Sequence, residues 1–545
     1  MSGRNRSARM ARSVVGAALM ASVVATAASA AEDTLVIAIP SFPQGLDLDK
    51  DSSPQTWNMA AQVYEQGMYW EKVAYPYDAE TPPEFSPNQV PDFGYPGFRD
   101  QVMTPGIVEA CELSEDSKTA TYKLRQGVIS AYGNEFDSDD VLWRVERASA
   151  TKAIDFFLQS LANVADPKKW SAVDKYTVQI TSDTPIPLAC PMLTNIYYPF
   201  WDADEARKHI SDGDPWGDKW ISTNGGGFGA YYVTSWEPGK RVVMEANPNY
   251  WGDELAIKKI VYVVVPEAAS RLALLQRGEV HVAETMSPDD LRAVVGSETS
   301  VAVAVKGNQA IFANINNAKP PFDNVKVRQA VNMLIPRDDI VASVYGGLAK
   351  SWSGVMPSGF PGAADLAGYK YDPEAAKALL AESGVDLSQP IPLSLNAADA
   401  VQENIAILLQ RSFAEAGITL ELKKLPVAAL SDEVYGKSGS LSLWVDMAIQ
   451  PDPSYALGLF YQTGGATNFS SYSNAEVDKL LDAGRYLVGQ ARIDAHQSVQ
   501  KIIQDEAATG WIAEQYFTLA ISKKLKGLNW SPAQYYRIRE MSFVE

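Results

Sequence analysis

Hydrophobic and polar positions divide this chain into short alternating runs and longer periodic ones, punctuated by Pro and Gly. The clearest block runs from Thr223 to Glu284. Tyr231–Ser235 and Arg241–Glu245 are β-rich, and Trp236-Glu237-Pro238-Gly239-Lys240 between them carries a Pro-Gly turn signal, which predicts a hairpin. Ile260–Val265 is an apolar, β-branched run, long enough for a strand buried on at least one face. Pro266 closes it where the start of a helix tolerates a missing N–H. Ala268, Leu272 and Leu275 then recur at helical spacing, and Gly278 follows as a C-cap. Val280–Ala283 begins another strand. Strand, helix and strand in so short a span predict a βαβ unit with a right-handed crossover.

The same reading extends along the chain. Leu35–Ile39 predicts a strand, left by the loop Pro40–Gly45, and loops at strand ends are where α/β proteins bind ligands. Pro, Gly and acids crowd Pro76–Pro105, which predicts irregular structure, and Trp201–Trp220 reads as a loop. Thr119–Arg125 alternates, with Tyr122 and Leu124 on one face. Ser138 with Asp139 and Asp140 predicts an N-cap and an acidic first turn. Helices are predicted over Val327–Ile335, stopped by Pro336, and from Asp372-Pro373-Glu374 to Gly384. A long amphipathic one follows over Gln402–Ala416, closed by Gly417, and the capping box Ser473-Asn474-Ala475-Glu476 opens another. There is no internal repeat and no low-complexity run.

The first 30 residues read differently. Arg4, Arg6, Arg9 and Arg12 form a basic stretch, Val14–Ala27 an apolar one too short to span a bilayer comfortably, and Ala28-Ser29-Ala30 a small-residue cleavage site. This predicts a cleavable signal peptide and a mature chain of 515 residues beginning at Ala31. No Cys lies near the site, so a lipid anchor is not expected. A chain of that length needs two or three domains. Its loss of four Arg takes the net charge from −19 to −23, which disfavours nucleic acid and anionic lipid surfaces as partners. Cys111 and Cys190 are the two cysteines, and in an oxidising compartment such a pair usually joins; two buried thiols are the alternative.

Catalytic patterns are weak. The three histidines, His209, His281 and His496, are far apart and lack metal-ligand spacing. No nucleophile elbow, His-Glu-x-x-His or Walker loop is present. Gly225-x-Gly227-x-x-Ala230 formally matches a dinucleotide fingerprint, but a strand follows it where a helix is required, so a glycine-only loop is the reading. With 66 acidic residues, no chosen carboxylate pair is informative. The 13 Trp and 25 Tyr are mostly core, with a share at strand-end loops suited to stacking on a ligand.

Four segments carry a resemblance. "GAYYVTSWEPGKRVVMEANPNYWG" with "SRLALLQRGEVHVAE", "CELSEDSKTATYKLRQGV" with "GNEFDSDDVLWRVERA", "PPFDNVKVRQAVNMLIPRDDIV", and "YDPEAAKALLAESG" resemble, in order, blocks of the extracytoplasmic solute-binding proteins of the peptide/nickel family (family 5), receptors of ABC importers. The resemblance implies an α/β, two-lobed periplasmic binding protein fold of type II, the large cluster with an extra N-terminal subdomain. It implies discontinuous domains: lobe one over about 31–316 plus 517–545, with a subdomain inserted near 77–206, and lobe two over 317–516. Crossings between the lobes are expected near Asn314–Asn316 and Glu514–Phe517. No enzyme activity and no cofactor are implied. The partners would be a peptide or oligosaccharide-like solute and a membrane permease, and a monomer is expected. A secreted hydrolase acting on glycans or peptides is the alternative.

Candidate binding residues centre on Leu443–Leu457, LWVDMAIQPDPSYAL. In this segment the family's peptide receptors carry a Trp and, shortly before Asp-Pro, an Asp that binds the ligand's α-amino group. Anchoring on Asp452-Pro453 puts Ile449 at that position, with Asp446 three residues upstream. Either the loop has an insertion and Asp446 still binds an ammonium, or the ligand lacks an α-ammonium and is a neutral or differently charged solute such as an oligosaccharide. The displacement favours the second. Expected ligand-binding residues are Trp444, Asp446, Gln450 and Tyr455, with Phe42, Trp57, Phe228 and Trp352 as stacking aromatics.

Overall fold

The computed structural model describes residues 33–51, 53–72, 102–357, 360–446, 450, 452–465, 467–531 and 535–544. The expected signal peptide, the start at Ala31, Ile449 and most of Pro76–Pro105 lie outside these residues. One mixed sheet organises the fold. Its strands are β1 (Thr34–Ile39), β2 (Tyr231–Glu237), β3 (Arg241–Ala246), β4 (Lys259–Val264), β5 (Val282–Glu284), β6 (Ser300–Ile315), β7 (Ala349–Ser351), β8 (Ile391–Asn396), β9 (Leu420–Leu425), β10 (Leu441–Asp446) and β11 (Gly510–Ser522). They run in the order β9-β8-β10-β6-β11-β5-β1-β4-β3-β2, with β7 paired to β11 off this path.

The predicted hairpin is β2 and β3, joined around Gly239 at a positive φ of 71°. The predicted βαβ unit is β4, helix Ala268–Gln276 and β5, but its strands are not neighbours. β1 lies between them, parallel to both, through Ile37 opposite Val282 and Val261 opposite Val36. The crossover therefore leaves room for the first strand of the chain, whose side chains are buried on both faces.

Long strands β6 and β11 pair antiparallel from Ser300 opposite Ser522 to Ala313 opposite Gly510. The register shifts between Lys306 and Gln309 and again between Ile311 and Phe312. Both segments expected as crossings lie in this strand pair or at its end. Near the C-terminal end of β6, side chains divide by parity. Ile311, Ala313 and Ile315 pack with Leu441, Leu443, Ile512 and the helices Val325–Met333 and Ala400–Glu415 in one core. Ala310 and Phe312 face the other way, into a separate cluster.

A second, four-stranded antiparallel sheet lies within the region expected to be an inserted subdomain. Its order is Val108–Leu113, Thr119–Leu124, Thr177–Thr181, Trp170–Asp174, with its own buried core around Tyr122, Phe136, Val178 and Phe200. Cys111 and Cys190 are joined by a disulfide with Cα atoms 5.7 Å apart. Helix Ser138–Thr151 packs on this unit and carries Arg147, whose buried guanidinium reaches Asp47 at 2.6 Å, Asp49 at 2.8 Å and Asp218 at 2.9 Å. One cation thus ties helix Ser138–Thr151 to the segment after β1 and to helix Asp218–Asn224.

Local readings need three adjustments. The cap of helix Ser138–Thr151 is Asp137, which accepts from Asp139 N while Asp140 accepts from Asp137 N. Helix Ala475–Gly484 is capped by Asn474, accepting from the amides of Glu476 and Val477, and no Ser473–Glu476 box forms. Within Trp201–Trp220, Ala203–Lys208 is helical because Asp202 accepts from Glu205 N, and a second helix begins at Asp218. Farther on, Gly225 and Gly226 both adopt positive φ, and a Cβ on either would overlap Val63 or Trp220, so this stretch requires glycine for steric reasons.

Candidate ligand-binding cleft

The side of β6 that turns away from the Ile311 core forms the floor of a cleft. Ala310, Phe312 and Asn314 lie opposite Asp446, Trp444 and Ser442 of β10, and directly paired residues project to the same face. Met356 and Val355 with Trp352, and Ala456, Leu457, Phe460 and Tyr461 with Phe469, form the walls. Thr467, Ser470 and Thr509 complete the lining, and the space is about 570 Å³ including the part open to solvent. The lining is mostly apolar with few polar groups, as ligand pockets generally are.

Each wall is held for a stated reason. Helix Pro453–Tyr461 starts where Asp452 accepts from Ser454 N at 2.9 Å and Tyr455 N at 3.2 Å, with Pro453 at the first helical position. Asp452 is itself bound by Arg492 at 2.6 and 2.7 Å, from helix Gly489–Asp505. This paired, buried carboxylate is part of the scaffold. The Trp352 wall is fixed by Arg337, whose Nε donates to Trp352 O at 3.0 Å and Trp511 O at 2.8 Å. Burial lowers the pKa of Arg337 to about 10, so it remains charged at neutral pH.

Asp446 is the one ionisable carboxylate among the described lining residues. Its charge is felt by two tyrosines. Burial raises the Tyr435 hydroxyl to about 12, with Asp446 adding to the shift. Burial followed by Asp446 also raises Tyr455 strongly, opposed by a hydrogen bond with Asn195. Beside Asp446 stands an aromatic corner: Tyr435, Trp444 and Phe469 meet edge to face with centroids 5.1–6.0 Å apart. On the same sheet face, Glu514 of β11 lies opposite Ala310 on its other side.

The expected binding residues fall into three groups. Trp352 and Asp446 line the cleft, whereas Trp444 packs behind it, edge-on to the lining residue Phe469. Gln450 and Tyr455 instead line a smaller adjoining cavity with Leu158, Leu188, Asn195 and Tyr198, and Gln450 donates to Pro191 O at 3.1 Å. These two therefore face the region expected to be the inserted subdomain. Phe228, Trp57 and Phe42 are elsewhere. Phe228 is fully buried against Phe136, the Trp57 indole is bonded to the Tyr197 hydroxyl, and Phe42 packs edge-on to Trp236 at 5.0 Å. Core and loop packing account for all three. The alternation of polar and apolar residues in β6 was the signal for the missed residues Phe312 and Asn314, and no local pattern marked Met356, Phe460 or Phe469.

The histidines are dispersed in space as well as in sequence. His209 stacks on Trp220, His281 Nδ1 accepts from Val36 N at 3.0 Å, and His496 Nδ1 is 2.7 Å from Arg492 O. Burial depresses His281 to about 4, so it is neutral. Among the described residues no group of three or more His, Cys, Asp or Glu could hold a metal ion, and no helix is long and apolar enough to cross a membrane.

A family model for bacterial extracellular solute-binding proteins, family 5, matches residues 102–468. The probable D,D-dipeptide-binding periplasmic protein DdpA of Escherichia coli K12 is 28% identical over 451 residues, covering 80% of this chain and 84% of that protein. Among solved structures, the ABC transporter-associated periplasmic binding protein DppA of Helicobacter pylori, in complex with the peptide STSA, superposes with a TM-score of 0.79 at 19% identity, covering 94% of this chain and 98% of that one. A dipeptide-binding protein of Pseudoalteromonas sp. SM9913, in complex with Met-Leu, gives 0.78 at 18% identity, with 94% and 100% covered. The fold is the α/β, two-lobed type II fold of periplasmic binding proteins.

Proposed function

We propose, from the premise that this chain belongs to the bacterial extracellular solute-binding proteins of family 5, that it is the periplasmic receptor of an ABC importer and captures a short peptide by its free amino end. The carrying observation is that Asp446 is the one carboxylate among the described lining residues of a mostly apolar cleft. A carboxylate in such surroundings favours a ligand that brings a cation, because hydrogen bonds between charged groups are stronger where water is scarce. Phe312, Met356, Leu457 and Phe460 then offer dispersion contacts to apolar side chains. Several relatives are named as peptide-binding proteins, which supports the same class. Between the two readings of this segment, the position of Asp446 in the cleft favours the ammonium over the oligosaccharide.

The work of such a receptor is differential affinity. Ligand stabilises the closed arrangement of two lobes, and the permease reads that arrangement. The proposed lobes are those of the sequence reading, and the proposed route to the periplasm is the signal peptide of residues 1–30.

Calorimetry with free-amine di- to tetrapeptides, their N-acetyl forms and a set of oligosaccharides tests the reading. Expected are roughly micromolar affinities for some free-amine peptides. Acetylation or Asp446→Asn should weaken them about 30-fold or more, the cost of removing one partner of a desolvated charge pair. Sugar binding indifferent to Asp446→Asn would overturn the proposal. Recovery of the peptide intact after incubation separates a receptor from the alternative hydrolase, which would leave cleavage products.

A further inference from the structure

The cleft has two polar poles. Asp446 and Asn314 project from β10 and β6 onto the same floor, Asp446 opposite Ala310 and Asn314 opposite Ser442. Four residues of β6 separate those two rungs, which is about 13 Å along a strand. Phe312 and Trp444 occupy the rung between them, and Phe312 lines the middle of the floor.

Asn314 is the unusual member. It is 7% exposed, lines the cleft, and donates through Nδ2 to Ser442 Oγ at 3.4 Å, while its Oδ1 is buried with no hydrogen-bond partner. An amide oxygen left unpaired in a buried site forfeits the hydrogen bonds it would make to water. Trp444 Nε1 on the neighbouring rung is likewise without a partner, whereas two hydroxyls of the lining are engaged. Ser470 Oγ donates to Asn468 Oδ1 at 3.2 Å, and Thr467 Oγ1 donates to Leu459 O at 2.6 Å. The neighbouring Asn316, on the strand's continuation, spends its amide on Lys437 O and Gly439 O. Asn317 Nδ2 donates to Ile315 O, Ser470 O and Ala508 O. Those two asparagines brace the backbone through their amide nitrogens, and although Asn317 Oδ1 also lacks a partner, only Asn314 of the three lines the cleft.

We infer that Asn314 is a specificity-determining residue that accepts a hydrogen bond from a neutral N–H or O–H group of the ligand, about 13 Å from the ammonium held by Asp446. This rests on the peptide reading above. The ligand it describes has a cationic amine at one end, an apolar body over Phe312, and a hydroxyl or amide donor at the far end. In a peptide, that donor is a side-chain group such as a Thr or Tyr hydroxyl. A site with a buried acceptor discriminates by penalising the analogue that leaves it empty.

The test uses free-amine tripeptides in matched pairs, Val against Thr and Phe against Tyr at each position, with wild-type protein, Asn314→Leu and Asn314→Asp. Calorimetry reads the affinity ratio within each pair, and thermal melting checks that each variant folds. Wild type should favour one hydroxyl-bearing peptide about tenfold over its apolar twin. Asn314→Leu should bring that ratio to about one while keeping the apolar twin's affinity. Asn314→Asp, which preserves shape and acceptor, should keep the preference, so the inference stays testable if the leucine variant fails to fold. Amine-dependent binding with equal affinities in every pair, or an unchanged ratio in Asn314→Leu, overturns this inference and leaves the peptide reading standing. Failure of every peptide to bind in an amine-dependent way overturns the peptide reading and this inference with it.

Discussion

Replacing Arg147 by Met tests how the region expected to be an inserted subdomain is fastened. The guanidinium is fully buried and sits 4.6 Å from the centre of the Trp201 ring, with carboxylates of Asp47, Asp49 and Asp218 within 2.6–2.9 Å. Asp47 and Asp49 are nearly inaccessible. Methionine fills similar volume but leaves two buried carboxylates facing each other. Breaking a buried pair by removing one partner costs roughly 3–5 kcal/mol, a large part of the 5–15 kcal/mol that holds a domain folded. The pH sign is also set. Burial already raises the Asp47 pKa against the opposing pull of Arg147. Without that cation the folded state takes up a proton that the unfolded chain, titrating near 4, does not hold at neutral pH. A raised carboxyl pKa contributes stability below the unfolded value and loses it as pH climbs, by about 1.4 kcal/mol per unit while the proton is retained. Urea unfolding at pH 5 and pH 8 should therefore show the variant most destabilised at pH 8. A loss under about 1 kcal/mol at pH 8, or an equal loss at both values, would refute the account.

Other predictions follow from single features. Replacing Cys111 and Cys190 together by Ser should cost about 2–4 kcal/mol in urea unfolding, and thiol titration of the unreduced native protein should find no free thiol. Buried Glu284, hydrogen-bonded by the Tyr536 hydroxyl at 2.6 Å, has its pKa raised from 4.5 to about 7 by burial. It is protonated in the folded state, so its contribution is full below 4.5 and is lost as pH rises through 7. Glu284→Gln should therefore flatten the fall in unfolding free energy between pH 5 and pH 8, read by urea unfolding, by an amount on the order of 1–3 kcal/mol. If the two lobes close about the β6–β11 pair, with its register shift between Lys306 and Gln309, small-angle scattering should show a smaller radius of gyration at saturating peptide; no change would count against closure.

Much of the fold was legible because its elements announce themselves locally. Pro-Gly between two β-rich runs gave the β2–β3 hairpin, and Asp372-Pro373 with Gly384 bounded helix Pro373–Ser383 at both ends. What was hidden depends on distant partners. β1 slips between β4 and β5 from over 200 residues upstream, and nothing in the βαβ segment reserves its place. The short helix Ala203–Lys208 was passed over among glycines and prolines, although Asp202 supplied its cap three residues before Glu205. Arg147, Arg337 and Arg539 look like surface cations in a sequence, yet the first two are buried and the third is half-buried, each against partners contributed by other elements.

The cleft was legible where strand parity could be applied and illegible where only residue type was available. Tryptophan and phenylalanine serve core and cleft equally well, so abundance of aromatics could not separate Trp352 from Trp57 or Phe228; all three are buried, and only the first meets the cavity. Parity does separate them on a strand. In Ala310-Ile311-Phe312-Ala313-Asn314-Ile315 the odd-numbered residues are uniformly apolar and enter the Ile512 core, while the even-numbered set ends in Asn. Across the ladder, Leu441, Leu443 and Val445 join the same core, and Ser442, Trp444 and Asp446 share the other face. A face that combines small, aromatic and polar residues cannot be an ordinary core layer, since its buried polar atoms need partners that aliphatic neighbours do not supply. That mismatch, visible in two short strands far apart in the chain, is the physical reason to place the ligand on this face.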